Sequence, residues 1–331
     1  MTKRATDITR REALAASGAG LIVLGLGASP TLAQAVTLRQ GYQTNMWGMP
    51  TYYVMKSGLL EKHGIKFQEF AVASGNLTMQ QQVARQVDLG TYAGPSFIIG
   101  SDKGGLIAIA LIEHVGKTVR VMARKELNIK RIEDLRGKKV ANQTGSSVGN
   151  VFVDQIAPKA GLKKGDFQEV RMDVNNMVAA MAAKTVDAMI NVEPYNQIAE
   201  ADGIATTIMD YWDVDKMPVF MAATPEFVEK SPDLIVSYLK AWLEAGKTFK
   251  SDPGKVTDVI LSFYTSKGYT MTKAAMAGAL AKVDVNPGFP RDIQPYMQQQ
   301  AEILLREKKI AKIPDWKVAL RPDFMEKAMK G

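Results

Sequence analysis

The amino-acid sequence predicts an α/β protein built as two units behind an N-terminal export signal. Short alternating or apolar segments recur with amphipathic segments between them, which favours parallel strands with right-handed helical crossovers. One series covers about residues 36–124 and a second covers about residues 132–192. Removing 35 of the 331 residues leaves 296, a length that suits two domains of ordinary size.

The first unit is predicted from alternation and from glycine-containing stops. Strands are expected at 36–43, 65–71 and 106–111, with a short strand from residue 87 that ends at 92–96. One helix is expected over 51–62, where Tyr52, Met55 and Leu59 share a face, and another opens at Ser74. The continuous apolar run at 106–111 is typical of a buried parallel strand.

The second unit repeats this pattern after a strand at 119–124. We predict a short helix from residue 132, a strand to residue 141, a helix over 148–160, a strand at 167–171, a helix near 178–183 and a strand at 188–192. A strand at 219–222 would return to the first unit. The rest is predicted to be mainly helical, at 232–250, 255–265, 273–282 and 293–307.

The N-terminus has the layout of an export signal. Arg10 and Arg11 precede a long uncharged stretch, Ala13–Leu38, that contains the small-residue motif Ala33-Gln34-Ala35, which predicts cleavage after Ala35. The twin arginine resembles the signal of the Tat pathway. A membrane anchor is the alternative, but the apolar run is short for a spanning helix. We therefore expect residues 1–35 to be removed and the mature chain to work in the periplasm.

Composition excludes several kinds of site. The chain has no cysteine, so disulfides, thiolate metal sites and cysteine nucleophiles are absent. Its net charge is +8, and the signal contributes four basic and two acidic residues, which leaves about +6. Lysines and arginines are interspersed with acids rather than clustered with aromatics, so nucleic-acid binding is disfavoured. With only two histidines, His63 and His114, and no metal or nucleophile motif, we expect no catalytic residue, metal or cofactor.

A group of short motifs resembles a known family. They include Asp134-Leu135-Arg136-Gly137-Lys138, Thr144-Gly145-Ser146-Ser147 and Glu193-Pro194-Tyr195. This order is similar to the solute-binding proteins of ABC importers, in the branch for aliphatic sulfonates, taurine, nitrate and thiamine pyrimidine precursors. The family commonly has Trp-Asp-Pro-Tyr where this chain has Val192-Glu193-Pro194-Tyr195, so transfer of any one ligand is weakened.

The resemblance implies a type II periplasmic binding protein: two α/β lobes joined by two crossing strands, with a ligand cleft between them. Lobe 1 would comprise 36–120 and 220–331, and lobe 2 would comprise 121–219, with crossings near 119–124 and 217–222. The implied partners are a small organic solute and a membrane ABC permease, to which lobe closure signals occupancy. We expect a monomer.

The first candidate site residues lie in the loop 144–147, between a predicted strand and helix. Backbone N–H groups at a helix start suit a sulfonate, carboxylate or phosphate, and Thr144, Ser146 and Ser147 add hydroxyl groups. Ordinary N-capping needs the same residue types. The resemblance favours binding, and one serine could do both.

Other candidates follow other strands. Asn45 and Trp47 lie in the loop after the first strand, where Trp47 could cover an apolar ligand body or pack in the core. Residues that end later strands, or lie near the second crossing, could supply hydrogen bonds, a carboxylate for a donor group, or an apolar floor. These are Tyr92, Ser96, Asn191, Glu193 and Phe220. A plain turn at 92–96, a helix cap by Glu193 and a core role for Phe220 are the alternatives.

These loops contain neither lysine nor arginine, so a small inorganic anion is less expected than a mid-sized organic solute. Three functions stay open: a transport-linked binding protein, which we favour; a pyrimidine or thiamine-precursor binding or synthesis protein of the same fold; and a sensor that works without a permease. Export and the absence of cysteine disfavour the synthesis enzyme.

Overall fold

The alternating and apolar segments form two separate mixed β-sheets. The structure, a computed structural model, describes residues 36–330, so the predicted signal and its cleavage site lie outside the described residues. The strands are β1 Thr37–Gln43, β2 Lys66–Val72, β3 Leu89–Ala93, β4 Ile107–His114, β5 Val119–Arg124, β6 Lys139–Asn142, β7 Gln168–Arg171, β8 Ala188–Val192, β9 Ala205–Asp210, β10 Pro218–Ala223 and β11 Asp284–Gly288.

The two sheets repeat one local arrangement. The first sheet has the order β11-β4-β10-β3-β1-β2 and the second β7-β6-β8-β5-β9. Strand β1 is parallel to β2 and β3, and β6 is parallel to β7 and β8. In each sheet an antiparallel strand follows, β10 beside β3 and β5 beside β8. The chain forms each of these two antiparallel strands directly after it has crossed over from the other sheet.

The chain passes between the sheets twice. Residues 115–118 connect β4 to β5, and residues 211–217 connect β9 to β10. The predicted type II fold, with two α/β halves and two connecting crossings, is therefore confirmed in its sheets and connections. The exact lobe boundaries near 120 and 220 stay a prediction.

Helices cover the sheets and fill the C-terminal third. They are α1 Met49–Lys56, α2 Leu59–Lys62, α3 Gly75–Val83, α4 Gly94–Gly104, α5 Ser147–Val151, α6 Ala157–Lys159, α7 Val174–Ala182, α8 Tyr195–Ala201, α9 Pro225–Lys230, α10 Pro232–Ser251, α11 Pro253–Ser266, α12 Lys273–Leu280, α13 Ile293–Arg306, α14 Trp316–Ala319 and α15 Pro322–Lys330. None of the helices within residues 36–330 has the length and apolar character needed to cross a membrane.

Two predicted helices differ in detail from the observed ones. The single helix expected over 51–62 is wrong, because Gly58 adopts a φ of +81°, a left-handed conformation that glycine tolerates and that separates α1 from α2. The helix expected over 148–160 is present, with a π-helical turn at Phe152–Ile156 between α5 and α6. The run at 106–111 forms β4, but the expectation of a parallel strand is wrong, because both of its neighbours in the sheet, β10 and β11, are antiparallel to it. Strands β9 and β11 and helices α4, α9, α14 and α15 were not predicted.

Candidate functional site

The parallel strands of both sheets end around one small cavity. Each of β1, β2, β3, β6 and β7 is followed within a few residues by a residue that lines this cavity, and β8 contributes its last residue, Val192, as expected for the carboxyl ends of strands in α/β sheets. The lining residues are Asn45, Trp47, Ser74, Gly75, Asn76, Ala93, Ser96, Gln143, Ser146, Ser147, Val148, Val174 and Val192. Since both sheets contribute, the cavity lies in the cleft between the two halves of the fold.

Several helices begin at this cavity. Helix α3 is capped by Ser74, whose Oγ accepts a hydrogen bond from the N–H of Leu77 at 3.4 Å. Ser146 caps α5 in the same way, through the N–H of Gly149 at 3.1 Å, and α4 and α7 start nearby. Helix starts carry partial positive charge, and no lining residue is charged. The cavity is therefore suited to a singly charged anionic group held by neutral donors.

Two serines join the halves of the fold across the cleft. Ser96 belongs to α4 beside the first sheet, and Ser147 begins α5 beside the second. Their Oγ atoms are 2.9 Å apart, and the Ser96 N–H donates to Ser147 Oγ at 3.2 Å. The cleft is thus closed, and the cavity of about 20 Å³ has room for little more than one water molecule.

A tight turn after β1 places Trp47 at the cavity wall. Asn45 Oδ1 accepts a hydrogen bond from the Trp47 backbone N–H at 3.0 Å, and Trp47 as a residue is 5% exposed. A Cβ on Gly48 would lie 1.7 Å from the carbonyl oxygen of Gln43, so this turn requires glycine. The indole Nε1–H donates to Thr118 Oγ1 at 2.6 Å.

The structure brings half of the predicted site residues together at the cavity. Asn45, Trp47, Ser96, Ser146 and Ser147 line it. The other five predicted residues do not line it.

Tyr92 and Phe220 lie in the apolar core instead of the cleft. The Tyr92 hydroxyl is 2.5 Å from Gln82 Oε1 on α3, and the Phe220 ring stacks 5.5 Å from that of Phe97. Both side chains are fully buried. Strands β3 and β10 are buried on both faces, and each directs its aromatic side chain into the core rather than beyond its end.

Thr144 and Asn191 flank the cavity but are directed elsewhere. The Thr144 hydroxyl donates to Glu169 Oε1 at 2.8 Å on an exposed surface. The Asn191 amide donates to the Val174 carbonyl at 3.0 Å. Asn191 therefore fixes the start of α7, while Thr144 stands outside the cleft.

Glu193 is occupied by partners within the protein. Its carboxylate is fully buried and forms ion pairs with Arg120 at 2.6 Å and with Lys282 at 2.5 Å. Its second oxygen accepts the Gln197 N–H at 3.0 Å, which matches the helix-cap alternative. The expectation of a free carboxylate for a ligand donor is therefore corrected to a buried structural acid.

Sequence reasoning missed several lining residues. Ser74, Gly75 and Asn76 follow β2, and the sequence had marked them only as a helix start. The rule that selected the loops after β1 and β6 applies equally to β2 and would have found them. Thr118 does not line the cavity but holds Trp47, and it carried no comparable signal, because the contact joins residues 71 positions apart.

A second buried acid lies on the other connection between the sheets. Asp215 is 4% exposed, accepts the Met217 N–H at 2.7 Å and accepts the Tyr296 hydroxyl at 2.9 Å. Burial raises the pKa of this carboxyl to about 6, although both hydrogen bonds act in the opposite direction. Residues 36–330 contain no group of three or more His, Asp or Glu side chains arranged to hold a metal ion.

Comparison with known proteins relates the chain to other binding proteins. A putative aliphatic sulfonates-binding protein of Escherichia coli K12 is 27% identical over 238 residues, covering 70% of this chain and 73% of the relative. A putative ABC transporter periplasmic binding protein of Brachyspira hyodysenteriae is 24% identical over 265 residues, covering 75% of each chain.

Solved structures share the architecture. The alkanesulfonate-binding protein SsuA of Xanthomonas axonopodis pv. citri, bound to MOPS, superposes with a TM-score of 0.76 at 18% identity, covering 86% of this chain and 98% of that one. This likeness confirms the predicted periplasmic binding protein fold. Residues 45–256 match the family described as NMT1/THI5 like. Since that match spans more than half of the sequence, the chain belongs to the NMT1/THI5-like family.

Proposed function

We propose that the mature chain binds a small organic anion with an apolar body in the cleft between its two halves and delivers it to a membrane ABC permease. The observation that carries the proposal is the Ser96–Ser147 pair, which joins the two halves where several helices begin around an uncharged cavity. Such a place offers hydroxyl groups and backbone N–H groups to one negative charge.

The ligand's charged end is assigned to Ser96, Ser146 and Ser147. Each carries a hydroxyl that can donate, and the positive ends of α4 and α5 point to the same place. A sulfonate or carboxylate fits this set. Nitrate fits less well, because no cation lines the cavity and charge-assisted hydrogen bonds would be absent.

The apolar body is assigned to the wall formed by Trp47, Val148 and Val192. A ligand site of ordinary size holds about 300–1,000 Å³, far above the cavity of about 20 Å³. Binding therefore requires the two halves to separate, which the connections at 115–118 and 211–217 allow as hinges.

The transport role is supported by the relatives named as sulfonate-binding and ABC transporter periplasmic binding proteins. The name of the Brachyspira hyodysenteriae relative supports work in the periplasm, and cleavage after Ala35 is proposed from the signal pattern in residues 1–35 alone. We propose a monomer without catalytic activity, since a single chain supplies both halves of the cleft.

The test is a thermal-shift screen of residues 36–331 against alkanesulfonates, taurine, aromatic carboxylates, thiamine pyrimidine precursors and nitrate. A ligand that binds only the folded state at a hundredfold excess over Kd raises the free energy of unfolding by about 2.7 kcal/mol. We expect a saturable shift with one class of organic anion. A shift with nitrate alone, or none with any anion, would contradict the proposal.

Variants then test the site assignment by calorimetry. Ser147→Ala should weaken binding at least tenfold, because a buried anion would lose a donor. The matched control is Ser262→Ala, whose hydroxyl lies on the exposed face of α11 and which should bind as the wild type does. Unchanged affinity in Ser147→Ala would remove Ser147 from the site.

A further inference from the structure

We infer that Thr118 is a positioning residue for the ligand: it fixes the plane of the Trp47 ring and couples contact with that ring to the connection between the two sheets. The inference rests on the proposed function, since it assigns Trp47 to the ligand's apolar body.

The first step is the hydrogen bond itself. Trp47 Nε1–H donates to Thr118 Oγ1 at 2.6 Å, and the Thr118 hydroxyl donates to the Val115 carbonyl at 2.7 Å. Thr118 is fully buried and Trp47 nearly so. Rotating the ring would leave a buried indole N–H without a partner, which is unfavourable because the desolvated donor gains nothing in return.

The second step is the location of Thr118. It lies between β4 of the first sheet and β5 of the second, in the connection at 115–118. Its carbonyl oxygen accepts the Glu193 N–H at 3.0 Å and the Asn196 side-chain amide at 3.1 Å. Thr118 thus joins Trp47, beside the first sheet, to the loop that follows β8 in the second.

The third step is a second bond between the same segments. The N–H of Met46, the residue before Trp47, donates to the Glu193 carbonyl at 3.0 Å. The turn that carries Trp47 is therefore attached to the second half both directly and through Thr118. Opening the cleft must break or bend these bonds, so the orientation of Trp47 depends on closure.

The hydrogen bond to Thr118 also determines which interactions the Trp47 side chain can make with a ligand. Its one side-chain donor is used by Thr118, and tryptophan has no side-chain acceptor. The ring therefore presents apolar surface rather than a hydrogen bond. Among anions that share one head group, those with a longer apolar body should depend more strongly on Trp47 and on Thr118.

The experiment uses residues 36–331 with ethanesulfonate and butanesulfonate as probes. Thr118→Val keeps the shape and removes the hydroxyl, whereas Thr118→Ser keeps the hydroxyl. We expect Thr118→Val to weaken butanesulfonate binding about tenfold, equivalent to about 1.4 kcal/mol, with a smaller loss for ethanesulfonate and near wild-type binding in Thr118→Ser. In a Trp47→Phe background, Thr118→Val should have no further effect.

A ligand-free readout separates this inference from the proposed function. The indole N–H resonance of Trp47 is identified by its loss in Trp47→Phe, among four tryptophans. Thr118→Val should shift it and speed its exchange, and Thr118→Ser should restore it. An unmoved resonance, or equal butanesulfonate affinity in Thr118→Val, overturns the inference even if the wild type binds. If neither sulfonate nor any other anion binds the wild type, the proposed function fails, and the ligand role of Thr118 fails with it. A shifted Trp47 resonance in Thr118→Val would then support only the hydrogen bond between Trp47 and Thr118.

Discussion

Replacing Asp215 by asparagine should reveal a pH-dependent contribution to stability. Burial raises the pKa of the Asp215 carboxyl from its usual 3.8 to about 6. The unfolded chain therefore loses its proton at a lower pH than the folded protein does, so this group destabilises the fold as pH rises. The contribution is absent below pH 3.8, develops between 3.8 and 6, and is complete above 6.

The magnitude follows from the two pKa values. At about 1.36 kcal/mol for each pKa unit, the full effect is about 3 kcal/mol, of which about 2 kcal/mol develops between pH 4.5 and pH 7. Asparagine cannot ionise, yet its side-chain oxygen can still accept the Met217 N–H and its amide can face the Tyr296 hydroxyl. The free energy of unfolding of Asp215→Asn should therefore rise by about 2 kcal/mol relative to that of the wild type between pH 4.5 and pH 7.

The assay is urea unfolding of both proteins at a series of pH values, followed by tryptophan fluorescence. The prediction concerns only how the difference in unfolding free energy between the two proteins changes with pH, since a constant difference reports altered packing or hydrogen bonding. Burial raises the pKa values of the neighbouring Tyr296 and Tyr211 hydroxyls well above 10, so both stay neutral over pH 4.5–7 and should not contribute. A difference between the two proteins that does not change with pH, or that falls as pH rises, would refute the reasoning.

Three further perturbations have defined outcomes. Glu113→Gln should stabilise the protein against urea unfolding at pH 8 but not near pH 4. Burial raises the pKa of the Glu113 carboxyl well above its usual value, and neither of its oxygens has a hydrogen-bond partner in the described chain. Equal changes in stability at both pH values would contradict this prediction. Lys309 follows α13, and its ion pair with Asp154 in the π-helical turn of the second half, at 2.8 Å, joins the two halves. Lys309→Met should therefore favour the open cleft and weaken ligand binding about two- to fivefold, with the loss reduced in 0.5 M salt. A loss in calorimetry that salt does not change would exclude the electrostatic explanation. Gly48→Ala should destabilise the protein by at least about 1–3 kcal/mol and weaken ligand binding, because the added Cβ would lie 1.7 Å from the Gln43 carbonyl oxygen. A wild-type melting temperature and a wild-type affinity would show that the turn can relax.

The fold could be predicted from the sequence where local patterns decide the structure. Alternation in 36–43 produced the expected strand β1 through its side-chain period. The apolar run at 106–111 also produced a strand, β4, but its predicted parallel pairing was wrong, because apolarity reports burial and not the direction of the neighbouring strands. Strand β11 could not be predicted in this way. It contains Asn286, Pro287 and Gly288, which disfavour strands, and it forms because it pairs with β4 at the sheet edge.

In the candidate site, too, local sequence predicted some features and long-range contacts decided others. Ser96 was predicted from its place at a strand end, and Ser147 from the family resemblance, which favoured binding over helix capping; both lie at the cavity. Glu193 was predicted from the same position, but its environment depends on Arg120 and Lys282, which are 73 and 89 positions away in the sequence. No local pattern indicates such partners, so whether a carboxylate is free or paired required the structure.

The two readings of the serine loop, helix capping and ligand binding, are compatible at the level of atoms. Ser146 Oγ uses an acceptor site for the Gly149 N–H, which leaves its hydroxyl proton to donate. Ser147 is not the cap, and its Oγ accepts from the Ser96 N–H across the cleft. Removing the Ser146 hydroxyl should therefore lower both stability, by about 1 kcal/mol for a lost cap, and affinity. Removing the Ser147 hydroxyl should lower affinity without the capping loss. A residue type chosen to begin a helix thus also places a donor at the cleft, because in this fold the helix starts are where the two halves meet.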